Sequence, residues 1–198
     1  MKAADLEQGL GRPRDERIDT QVVSAVLTLL KTRGYRAVTI EGIARKVKRA
    51  RTSLYRRWPS KQHLVAYAVL NELGENPAAD TGRLREDLEA AAGTLVSAFA
   101  GPLGQALAGL VADMAQDPQL AETIRQEVLA ARRKSMREAF VRARGRGEVR
   151  AHLDLELVLD MLTAPFYHRT LFGHAPVTRR MAREVVSYVL RLVAPDGA

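Results

Sequence analysis

Thr39-Ile40-Glu41-Gly42-Ile43-Ala44, continuing through Arg45-Lys46-Val47-Lys48-Arg49-Ala50-Arg51-Thr52-Ser53 to Leu54-Tyr55-Arg56-Arg57-Trp58-Pro59-Ser60-Lys61, reads as two short helices joined by a tight basic turn. Thr39 is a good N-cap, because its hydroxyl can accept a free backbone N–H of the helix it opens. Ile40, Ile43, Ala44 and Val47 then mark one apolar face. After the turn at Lys48 and Arg49, the second helix places Leu54 and Trp58, four apart, on its inner side. Arg51, Thr52, Ser53, Tyr55, Arg56 and Arg57 are left facing outward or sideways. Pro59 stops this helix, Ser60 caps the next, and Lys61 lies at a positively polarised helix start that suits a phosphate. Two such helices, the second carrying exposed cations and hydroxyls, form a helix-turn-helix. Arginine pairs with guanine and threonine meets the thymine methyl in the major groove, while neighbouring cations hold phosphates.

Charge supports this without any motif. Residues 12–61 contain 14 Lys/Arg and 4 Asp/Glu, whereas the remainder contains 17 and 19, so the whole excess of +8 is N-terminal. Between Arg45 and Lys61 there are eight basic residues and no acid. A solvated basic face accounts for charge alone; the apolar spacing, cap and stop signals point to a surface that displaces counterions from a polyanion.

The pattern Gly34-Tyr35, Thr39, Ile43-Ala44, Leu54-Tyr55-Arg56-Arg57-Trp58, Ser60-Lys61 and Leu64 resembles the DNA-binding region of TetR-type (TetR/AcrR) transcriptional regulators. The resemblance covers about the first seventy residues; beyond them only length and helical pattern agree. It implies that Thr39, Tyr55 and Lys61 hold phosphates and that Arg51, Thr52, Ser53 and Arg56 face the bases. It also implies a homodimer on a palindromic operator, released by a small molecule.

One departure from the family pattern lies in the turn. Val47-Lys48-Arg49-Ala50 stands where the family usually has a small residue, glycine, an aliphatic and serine. An alanine in the cap position costs about 0.5–2 kcal/mol locally, and a positive φ at Lys48 adds strain. Arg49 is expected to lay its stem on the apolar seam and reach outward, so Lys48 and Arg49 join the DNA-binding candidates as added electrostatic grip.

Of the 198 residues, 46% are apolar and only 5% aromatic, which fits aliphatic helix packing. The absence of cysteine excludes disulfides and thiolate metal sites and suits a reducing cytoplasm, the expected location. Residues 1–16 read as a flexible basic arm, with Arg12 and Arg14 able to touch DNA. Ala90 to Val111 is uncharged and long enough to raise the membrane question. Gly101-Pro102 breaks it, however, and Thr94, Ser97 and Gln105 add polarity, so two buried helices and no membrane partner are expected.

The fold class expected is all-α: a three-helix DNA-binding unit with the helix-turn-helix over 17–63, then a helical regulatory and dimerisation domain over 64–198. Amphipathic spacing predicts helices at about Asp15–Arg33, Leu64–Gly74, Arg83–Ala100, Leu103–Ala115, Pro118–Arg144, Asp154–Phe172 and Thr178–Val193. An Asn76-Pro77 to Gly82 connection interrupts them. In the Pro118 helix, Leu120, Ile124, Val128, Ala131 and Phe140 are placed inward.

The last two helices can pack inside their own chain or against a second copy; the resemblance assigns them to the dimer interface, through Leu155, Val158, Leu159, Leu162, Met181, Val185 and Val189. A mainly apolar effector pocket is sought among Phe99, Leu103, Leu107, Leu110, Met114, Met161, Phe166, Tyr167 and His168, with Tyr167 and His168 as polar contacts. The histidines His63, His152, His168 and His174 form no i,i+4 metal pair, and no nucleophile, base and oxyanion set occurs. No catalytic residue, metal or cofactor is therefore expected. A weakly selective architectural DNA binder is the alternative to a site-specific repressor.

Overall fold

A computed structural model of the chain describes residues 16–73 and 79–195. Within them every regular element is helical. The first half contains α1 (Glu16–Arg33), a 3₁₀ turn (Tyr35–Ala37), α2 (Ile40–Lys46), α3 (Arg51–Tyr55) and α4 (Lys61–Leu73). Then follow α5 (Leu84–Phe99), α6 (Pro102–Met114), α7 (Pro118–Thr123), α8 (Ala131–Gly145), α9 (Leu155–Phe172) and α10 (Arg179–Val193). The basic arm with Arg12 and Arg14, and Asn76-Pro77 of the connection, lie outside the described residues.

Local chemistry sets most helix ends. Asp117 accepts from the Leu120 N–H, Asp154 from those of Glu156 and Leu157, and Thr178 from that of Met181, so each opens its helix as an N-cap. Gly173, at φ 62°, closes α9 in the left-handed region that glycine adopts without strain. The cap of α5 comes from afar: Glu148 Oε2 accepts from the Leu84 N–H at 2.9 Å.

The predicted Pro118 helix is one rod with a π-helical segment, Ile124–Ala130, between α7 and α8. Wider turns of this kind shift the helical phase and recur at functional sites. Leu120, before the shift, and Ile124, where it begins, are buried against the N-terminal half, and Phe140, after it, against the C-terminal half. The side chains of Val128 and Ala131 lie outside the described set.

Two cores result. The first unites α1–α4 with Leu103, Ala106 and Leu110 of α6 and with Leu120 and Ile124, so the DNA-binding head is not walled off from the rest. The second is built by α5, α8, α9 and α10. The residues assigned to the dimer interface lie mostly inside this core. Leu155, Val158, Leu159, Leu162, Met181 and Val189 are buried within the chain, because α9 and α10 pack their main apolar faces against α5 and each other; Val185 is half-buried. The apolar side chains these helices leave exposed are Leu157, Met161, Leu171, Phe172, Tyr188 and Leu192.

Among the described residues no single helix is long and apolar enough to cross a membrane; α5 and α6 bend by 80° at the Gly101-Pro102 break.

Candidate nucleic-acid interface and regulatory cavity

The Thr39 Oγ1 accepts from the Gly42 N–H at 3.0 Å and opens α2. Ile40, Ile43 and Ala44 are buried, and across the turn Leu54 and Trp58 are buried against them. This packing forces the rest of α3 outward: Arg51, Thr52, Tyr55 and Arg56 are exposed and Ser53 is half-exposed. Lys48 and Arg49 are exposed beside them. All the candidate DNA-facing residues of the turn and α3 are thus at least partly exposed.

The turn has the strain its sequence implies. Lys48 has φ 53°, the left-handed region, and is the one non-glycine residue there among those described. Ala50 occupies the N-cap of α3 without a side-chain hydrogen bond. The recognition helix therefore opens uncapped and lasts five residues.

Three contacts were not legible in the motif. Arg57 does not face outward: its guanidinium is ion-paired with Asp19 of α1, both side chains nearly buried at 13% and 10% exposed. The pair fastens the end of α3 to α1, and the sequence held no local signal for it. Tyr55 donates to Glu41 Oε1 at 3.0 Å. That bond raises the Tyr55 phenol, while backbone and Tyr55 hydrogen bonds hold the Glu41 carboxyl below its usual range. Glu41, the lone acid just before the acid-free basic run, was the available signal.

The third contact concerns Lys61. Ser60 caps α4 by accepting from the His63 N–H, as expected, but Lys61 is not free. Its Nζ lies 4.2 Å from the centre of the Tyr35 ring. Burial lowers the Lys61 ammonium, with the Asp113 charge opposing. Tyr35 donates to Asp113 Oδ2 at 2.5 Å, and its phenol is raised first by burial and then by that carboxylate. The ring lies on α6 at Gly109, where an added Cβ would stand 2.6 Å from Tyr35 Cδ1; only glycine permits this approach. A candidate phosphate contact in the head is thus stacked on a residue bonded to α6.

Behind α6 lies a cavity of ≈ 570 Å³, lined by Phe99, Leu107, Tyr167 and His168 of the expected set and by Leu95, Leu129, Met136, Leu159 and Thr163. Its polar wall is Arg132, Arg133 and Asp160, and its edge carries Leu171 and Phe172. Five expected lining residues lie elsewhere. Leu103, Leu110 and Met114 pack into the head-facing core; Leu107, on the same face of α6, touches both cores and so reaches the cavity as well. Phe166 is fully buried behind Phe99, their rings 6.4 Å apart. Met161 is 47% exposed; six residues from Tyr167, it points about 120° away around α9.

Arg133 is paired with Glu156 and, at 2.5 Å, with Asp160. Arg132 has no such partner among the described residues, and its Nη2 is buried without a hydrogen bond. Burial lowers its guanidinium and raises the Tyr167 phenol, which the charges of Arg132 and Arg133 pull back. Sequence reasoning missed Arg132 because Arg132-Arg133-Lys134 reads as a solvated charge run.

Known proteins resemble this chain over nearly its whole length. Residues 22–68 match the family described as bacterial regulatory proteins, tetR family, and residues 78–189 match the tetracyclin repressor-like C-terminal domain. An HTH-type transcriptional regulator of Bacillus subtilis, YdeS, is 28% identical across 95% of this chain and 96% of its own. The DNA-binding transcriptional repressor TetR of Mycobacteroides abscessus is 27% identical across 93% and 98%. The crystal structure of the TetR family transcription regulator SCO0332 has a TM-score of 0.73 and 31% identity, covering 90% of this chain and all of that one.

Proposed function

Because this chain belongs to the TetR family of bacterial transcriptional regulators, we propose that it is a repressor that binds a palindromic operator as a homodimer in the cytoplasm and releases it when a small molecule enters the cavity behind α6. The observation that carries the reading is the α3 surface: Leu54 and Trp58 buried, Arg51, Thr52, Tyr55 and Arg56 exposed beside Lys48 and Arg49. Arg51, Thr52, Ser53 and Arg56 read bases, and Thr39, Tyr55, Lys48, Arg49 and Lys61 hold phosphates. Helix-turn-helix readers gain affinity from two half-sites about 34 Å apart, so two heads must be held at that spacing. The exposed apolar side chains of α9 and α10, Leu157, Met161, Tyr188 and Leu192, supply a surface for the second copy.

An effector acts only through a difference in its affinity for the two head spacings. α6 offers the route: Leu107 lines the cavity, while Gly109 and Asp113 hold Tyr35, on which Lys61 rests.

Fluorescence anisotropy on the intergenic DNA beside the protein's own gene, with competitor and a salt series, tests this. Binding that exceeds bulk DNA by about a thousandfold or more at moderate salt supports the repressor. The uncapped α3 and strained Lys48 favour a second reading, a weakly selective architectural binder, for which competitor would bind equally with a steep salt slope. Arg51→Ala should relax preference at particular base positions; an unchanged sequence profile would remove it from the base-reading set.

A further inference from the structure

Among the described residues the cavity carries one positive charge that no carboxylate neutralises. Among its described lining residues there are two arginines and one aspartate, and Arg133 already holds that aspartate. Arg132 is left with a buried, unbonded Nη2. Arg132 is half-buried, and a guanidinium partly withdrawn from water with an unbonded nitrogen is costly, so an apolar side chain of similar length would pack better in this wall. The expense makes sense where a ligand completes the pair. Opposite in character, Phe99, Leu107, Met136 and Leu159 form an apolar wall, and the cavity opens past Leu171 and Phe172, which are 44% and 72% exposed.

We propose that the effector is an amphipathic monocarboxylate whose headgroup is taken by Arg132, with the Tyr167 hydroxyl as second donor, and whose hydrocarbon body lies along Phe99, Leu107 and Met136. The inference deepens the effector reading given above and rests on it. A guanidinium fork matches a carboxylate with two parallel N–H···O bonds. One uncompensated charge suits a monoanion rather than a phosphate dianion. The ≈ 570 Å³ of space falls in the range of pockets that enclose small ligands.

Calorimetric titration of the full-length protein with decanoate and with 1-decanol tests the assignment, repeated with the eight- and twelve-carbon pairs. The carboxylate should bind about tenfold to a hundredfold more tightly than its alcohol, the worth of a charge-assisted hydrogen bond. In Arg132→Gln that preference should vanish while the alcohol's affinity stays. Arg132→Met should raise the melting temperature of the ligand-free protein, because it removes a half-buried guanidinium whose Nη2 has no hydrogen bond; a purely structural arginine would give the reverse. Equal binding of acid and alcohol, a preference that survives Arg132→Gln, or no carboxylate binding at millimolar concentration would each overturn the proposal. Operator binding measured without ligand is independent of all three results. Its failure sinks the repressor reading, whereas its success beside a negative titration sinks only the carboxylate.

Discussion

The Tyr35 hydroxyl donates to Oδ2 of Asp113 at 2.5 Å, which ties the turn after α1 to the last turn of α6 across 78 residues of chain. Hydrogen bonds to a charged acceptor are worth about 1.5–3 kcal/mol, so Tyr35→Phe should lower unfolding stability by that amount in urea titrations. The phenol holds its proton more tightly in the folded chain. Above about pH 10 the unfolded chain therefore gives up a proton that the folded chain keeps, and stability falls as pH rises. Tyr35→Phe should flatten that part of the alkaline slope; an unchanged slope would show that other groups produce it.

The Asp19–Arg57 pair predicts a larger loss. Asp19→Asn takes the carboxylate charge out of a nearly buried ion pair and should cost up to about 3–5 kcal/mol. Far-UV circular dichroism through a thermal melt would register this as an early unfolding transition. A near-neutral result would mean that solvent screens the pair.

Relief of the turn should act in the opposite direction. Ala50→Ser restores an N-cap and should add about 0.5–2 kcal/mol, and Lys48→Gly removes a left-handed non-glycine for about 1 kcal/mol. The two should differ on DNA. Ala50→Ser leaves the charge intact, whereas Lys48→Gly should shallow the salt dependence by about one unit if Lys48 neutralises a phosphate.

Glu41 places a carboxylate against the hydroxyl expected to meet phosphate. Glu41→Gln keeps an acceptor for Tyr55 but removes the negative charge, so operator affinity should rise. Tyr55→Phe should weaken specific and nonspecific complexes alike. A fall in affinity with Glu41→Gln would assign Glu41 a direct role in ordering the interface.

The exposed apolar residues of α9 and α10 predict an assembly. Met161→Glu with Tyr188→Glu should convert a dimer to a monomer in sedimentation velocity without loss of helicity, because both side chains are largely exposed in the single chain. A dimer that persists would place the interface elsewhere.

The head and most helix boundaries follow from local chemistry that a sequence displays. Thr39 and Thr178 cap their helices, Gly173 ends its own, and the Leu54–Trp58 spacing decides which side of α3 is free, although α3 closes at Tyr55, before the expected stop at Pro59. Such signals act within a few residues, so they survive without knowledge of partners. Even the strain at Lys48 and the missing cap at Ala50 were legible, since each concerns the backbone of its own residue.

Tertiary structure alone decided which of several apolar faces met which. Leu103 and Leu110 are buried in the head core while Leu107, on the same side of α6, touches both cores and lines the cavity, and Leu159 is core where Met161 is surface. Helical periodicity names an inward face but not the neighbour it meets, and a rod with a π-helical segment changes phase midway. Long-range polar contacts were hidden for the same reason. Asp19 with Arg57, Tyr35 with Asp113, and the unpaired Arg132 depend on packing that brings distant segments together, and an arginine in a charge run shows nothing of its burial until the helices around it are in place.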